Sequence, residues 1–96
     1  MNRVELLEPL REHKATLSRR FGITDLALYG FFARDNPADH SDVDILVRFK
    51  APPNWRQYFA AHAYLEETLG RPVDMAARRE IRAEIRPYVE RGAVDV

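Results

Sequence analysis

The sequence predicts an α+β fold: a small mixed β-sheet with helices packed on one face. Two short apolar runs of strand character lie near each other, at residues 25–30 and 42–49. Longer runs with helical spacing stand on either side of them, at residues 3–20 and 55–69. A third strand-like run follows at residues 71–76, and a helix closes the order helix, strand, strand, helix, strand, helix. No repeat, low-complexity tract or second domain interrupts this order, so residues 1–96 read as one domain.

Each element has its local cause. In the first helix Val4, Leu7, Leu10, Leu17 and Phe21 recur at helical spacing, and Gly22 reads as its C-terminal cap. Pro9 lacks a backbone N–H, so the helix is expected to kink there or begin near it. The two strands are joined by Asp35-Asn-Pro-Ala-Asp-His40, a run of turn-forming residues. Pro52-Pro53 make a stiff break, after which Asn54 is suited to cap a helix over residues 55–69. Trp55, Tyr58, Phe59, His62, Leu65 and Leu69 mark the expected inner face of that helix, and Gly70 its stop. A last helix is expected from Arg78, bending at Pro87 and ending near Gly92, with a weakly strand-like tail at residues 93–96.

Composition narrows the function. The chain has 96 residues, 46% of them hydrophobic and 31% charged, which fits a small globular domain. So small a core is expected to draw part of its stability from a partner surface. Fifteen basic residues balance fifteen acidic ones. A neutral chain lacks the broad basic field of a nucleic-acid-binding protein, so direct nucleic-acid binding is not expected. With no cysteine there is neither a disulfide nor a thiolate ligand or nucleophile. The charged N-terminus does not resemble a signal peptide, and no apolar run is long enough to span a bilayer. The expectation is a cytoplasmic protein without a membrane partner.

The chemistry concentrates around Gly30 and Ser41-Asp42-Val-Asp44. Alternate residues of a strand share a face, so Asp42 and Asp44 would stand side by side while Val43, Ile45 and Val47 enter the core. Two carboxylates held that close repel unless a cation lies between them, and an all-oxygen site suits Mg²⁺. Gly30, ending the first strand, lets backbone N–H groups approach phosphate. Arg34 could meet phosphate oxygens with its planar fork, or pair with Asp35 or Asp39 at the surface. Asp74, among apolar neighbours in the third strand, is the expected third carboxylate, completing the metal site or taking a proton from an attacking hydroxyl. Metal, phosphate and a glycine turn together indicate nucleotide chemistry. Ser41 reads first as the cap of the acidic strand, and the arginines at 78, 79, 82 and 86 as a solvated helix face. His13, His40 and His62 show no metal-ligand spacing.

These residues resemble the minimal nucleotidyltransferases, single-domain relatives of the DNA polymerase beta superfamily. That family carries Gly-Ser, ten intervening residues and Asp-x-Asp; here Gly30-Phe31 is followed by ten residues and Asp42-Val43-Asp44. The likeness extends over nearly the whole chain, including the Phe21-Gly22 junction, the Arg71-Pro-Val-Asp74 strand and Arg86-Pro87, which look like the family's antitoxin branch. It implies that Asp42, Asp44 and Asp74 are the catalytic and metal-binding carboxylates, and that Gly30, Phe31, Arg34 and Ser41 receive the nucleotide. It further implies Mg²⁺ as cofactor, ATP as donor and a HEPN-domain ribonuclease toxin as partner, silenced by transfer of AMP to a tyrosine. The chain departs from the family at Phe31, where serine is usual, and at Phe32 and Asp35. A phenyl ring cannot hydrogen-bond a phosphate, although the Phe31 backbone N–H still can. The alternative reading is therefore an antitoxin that neutralises its toxin by binding alone.

Overall fold

A computed structural model of the chain describes residues 2–30, 42–78, 84, 87 and 92–96. Helix α1 spans Arg3–Phe21. Its first turn is satisfied by Asn2, whose Oδ1 accepts the Glu5 backbone N–H at 2.9 Å. The helix therefore begins at Arg3 and not at Pro9, which lies inside it. Leu6, Leu7 and Leu10 are all buried around the proline and hold both sides of it against the core. Fully burying one such leucine is worth roughly 1.5–3 kcal/mol, enough to offset a lost hydrogen bond.

Strand β1 covers Ile23–Tyr29, β2 Val43–Phe49, β3 Val73–Ala77 and β4 Val94–Asp95. They form one mixed sheet in the order β3-β2-β1-β4. β1 pairs antiparallel with β2, with Leu28 opposite Ile45 and Tyr29 opposite Asp44. β2 and β3 run parallel, with Asp44 beside Asp74. Parallel neighbours need a crossover, and helix α2, Trp55–Leu69, supplies it. Asn54 caps α2 by accepting the Gln57 N–H at 2.8 Å. The C-terminal tail is a true edge strand, pairing with β1 through Leu28–Val94 and Ala27–Asp95.

One core lies between the sheet and the two helices. Leu6, Leu10 and Leu17 of α1 and Leu65 of α2 meet Leu26, Leu28, Val43, Ile45 and Val47. The alternation expected for β2 holds, since Val43, Ile45 and Val47 are fully buried in this layer. The inner face expected for α2 holds at Leu65 and Leu69, which are buried, and at Tyr58 and His62, which are partly buried, but not at Trp55 and Phe59, 67% and 59% exposed; Val4 of α1 is 59% exposed. Ala61 joins Leu65 and Leu69 there, because at their spacing the three form the stripe that faces the sheet. The expected helix from Arg78 to Gly92 lies outside the described residues, apart from Arg78, Glu84, Pro87 and Gly92 themselves. Among the described residues no helix is long and apolar enough to cross a membrane.

Candidate active site

Three polar side chains line up across the sheet. Tyr29 ends β1, Asp44 is the second residue of β2, and Asp74 is the second residue of β3. Antiparallel pairing sets Tyr29 opposite Asp44, and parallel pairing sets Asp44 beside Asp74. The row faces away from the core because its strand neighbours Leu28, Val43, Ile45, Val73 and Met75 face into it. Asp42 lies just before β2 and is exposed.

Gly30 follows Tyr29 with a left-handed backbone, φ +72°. A Cβ built there would strike the Asp44 carboxylate, lying 3.1 Å from its Cγ and 3.3 Å from its Cβ. Glycine is therefore required twice, by its φ and by the space under Asp44. Charge is concentrated at this point. The Asp44 carboxyl is pushed up to about 6, chiefly by burial, then by the charges of Asp74 and Asp42 and a hydrogen bond with Asp74. Such a bond requires a proton on one of the two carboxyls. The Tyr29 hydroxyl is pushed up to about 12 by burial and by Asp44, Asp74 and Tyr58 in turn, and stays protonated at neutral pH.

The donor set is all oxygen, which suits a hard cation. Among the described residues no three His, Cys, Asp or Glu side chains converge tightly enough to make a complete metal cage. What converges is the pair Asp44 and Asp74, with Asp42 close enough to add repulsion. That arrangement fits Mg²⁺, which ordinarily takes one or two carboxylates and fills its other positions with water and substrate phosphates.

The sequence matches the nucleotidyltransferase domain family over residues 10–95. The chain belongs to this family. It is 34% identical over 92 residues to the protein adenylyltransferase MntA of Thermococcus cleftensis, an alignment covering 96% of this chain and 93% of that protein. A solved structure provisionally named a minimal nucleotidyltransferase superposes with a TM-score of 0.83 at 29% identity, covering 100% of this chain and 97% of the other. A chain from the toxin–antitoxin complex MntA–HpeT shares the fold, with a TM-score of 0.69, 15% identity, and coverage of 99% and 72%.

Of the residues expected at the nucleotidyltransferase site, the fold brings Asp44, Asp74 and Gly30 together and leaves Asp42 at their margin. Phe31, Arg34 and Ser41 lie outside the described residues. Tyr29 belongs to the row and was missed by sequence reasoning. Its one signal is its place directly before Gly30, in alternation with the core residue Leu28. His62, expected at the core edge, is partly buried, and its Nε2 lies 2.7 Å from the Val73 carbonyl, next to Asp74.

Proposed function

We propose that this nucleotidyltransferase is an antitoxin that transfers AMP from ATP to a hydroxyl, in our reading a tyrosine, of a HEPN-type ribonuclease toxin. The observation that carries the reading is the Asp44–Asp74 pair, set side by side by parallel pairing and backed by a glycine that only Gly can be. The protein adenylyltransferase relative and the toxin–antitoxin complex of the same fold support the choice of donor and of partner class.

In this reading Asp42, Asp44 and Asp74 hold Mg²⁺, which when bound neutralises charge on the phosphates and helps orient them. Gly30, the Phe31 backbone N–H, Arg34 and Ser41 receive the phosphates. Asp74, the more exposed of the central pair, takes the proton from the incoming hydroxyl. The oxygen then attacks the α-phosphorus, the bond to the bridging oxygen breaks, and pyrophosphate leaves. Tyr29, still protonated at neutral pH, keeps negative charge off the flank of Asp44. Phe31 favours a second reading, in which the nucleotide contact is lost and the chain works by covering the toxin.

Intact mass of the toxin separates the two. Co-expressed with this chain, the toxin should gain adenylyl groups, and these should vanish with the Asp42→Asn, Asp44→Asn double variant. An unmodified toxin that is still bound and still silenced would discard the transferase reading in favour of binding alone.

A further inference from the structure

β3 is the outer strand of the sheet beside β2. The Val43 N–H donates to the Pro72 carbonyl at 3.0 Å. In a parallel ladder this leaves the N–H and C=O of the next residue, Val73, pointing away from β2. Such an edge is ordinarily left to water or to another strand. Here three side chains of α2 occupy it. The Tyr58 hydroxyl donates to the Met75 carbonyl at 2.7 Å. His62 Nε2 lies 2.7 Å from the Val73 carbonyl, which can only accept, so this nitrogen carries the proton. Glu66 Oε2 accepts the Val73 N–H at 2.9 Å and lies 3.7 Å from His62 Nε2.

The spacing explains why a helix can do this. Residues four apart on a helix rise about 6 Å, and two residues of a strand advance roughly 6.6 Å. Tyr58 and His62 thus meet alternate carbonyls, and Glu66, one turn on, reaches the N–H of the residue His62 already holds. The bonded residues, Val73 and Met75, bracket Asp74.

We propose that Tyr58, His62 and Glu66 act as positioning residues, a side-chain edge that holds β3 in register and so fixes the Asp74 carboxylate beside Asp44. This rests on the reading of Asp74, with Asp42 and Asp44, as a metal-binding carboxylate. The edge acts through Asp74 and touches no substrate.

The test is a double-mutant cycle on the full chain, read as Mn²⁺ affinity from the electron paramagnetic resonance signal of the free ion. Glu66→Ala should weaken Mn²⁺ binding at least fivefold, whereas Glu66→Gln, which keeps an acceptor for the Val73 N–H, should stay within twofold of wild type. Placed on Asp74→Asn, Glu66→Ala should add nothing further, because its effect passes through the missing carboxylate. His62→Ala and His62→Gln should repeat the pattern, since glutamine can still donate to the carbonyl. Circular dichroism of each variant confirms that it is folded. Additive losses, an Ala variant that binds as wild type, or Mn²⁺ binding indifferent to Asp74→Asn would overturn the proposal. No step of the cycle requires catalysis. A wild-type chain that passes it yet transfers no AMP would refute the transferase reading and leave this one standing.

Discussion

Gly30 is the residue on which the site turns. Any side chain there meets two separate penalties: a left-handed φ of +72° and the carboxylate of Asp44. The first is worth roughly 1–2 kcal/mol for an L-residue. The second moves a carboxylate that must sit to within about an ångström, a displacement that can lower a rate by roughly 10²-fold. Gly70 separates the two effects, since its φ is +66° but, among the described residues, nothing lies within 4 Å of a Cβ built on it. We expect Gly30→Ala to lower both stability and transfer, and Gly70→Ala to lower stability alone. Thermal melts and transfer assays on the two variants check this; equal activity in both would show that Gly30 matters only for its backbone. The carboxylates were legible in the sequence because charge in an apolar strand is conspicuous. Tyr29 was not, since an aromatic ring at a strand end reads as core, and only the register with Asp44 reveals its place.

At the level of elements, the helix and strand signals were legible where they depended on local chemistry. Asn54, directly after the proline break, does cap α2, through its bond to the Gln57 N–H. Asn54→Ala should therefore lower stability by about 1 kcal/mol and leave transfer unchanged, because it lies at the far end of β2 from Asp44. Chemical denaturation alongside a transfer assay measures both, and a large activity loss would mean that α2 transmits more than support. What local chemistry could not show was that two large aromatic residues of α2 turn outward. Trp55 and Phe59 are the most apolar side chains of its first turns, yet both stay exposed, while Leu65 and Leu69 face the sheet as their spacing predicts and Ala61 joins them. At Pro9 the sequence left open a kink or a later start, and the structure excludes the later start, since three buried leucines around the proline outweigh its missing N–H. The polar edge formed by Tyr58, His62 and Glu66 was equally hidden. It depends on a strand that comes later in the chain.

For the whole molecule, the paired carboxylates set stability against function. The folded chain holds the Asp44 proton up to about pH 6, whereas the unfolded chain releases it near 4. From this group, stability is fully present below about pH 4 and is lost as pH rises toward 6. After the discount that a part-exposed carboxyl demands, the loss is about 1 kcal/mol, or roughly 4–8 °C in Tm for a domain of this size. Asp44→Asn removes the titration. Its Tm should match wild type near pH 4, exceed it increasingly up to about pH 6, and hold a constant lead above that. Added Mg²⁺ binds only the folded wild-type site, so by mass action it should close most of that lead at pH 7.5. Melts of the two proteins from pH 4 to 7.5, with and without Mg²⁺, test both halves. A lead that does not change with pH would mean that Asp44 is not strained by its neighbours. A lead that Mg²⁺ leaves intact would mean that repulsion between the carboxylates serves no cation.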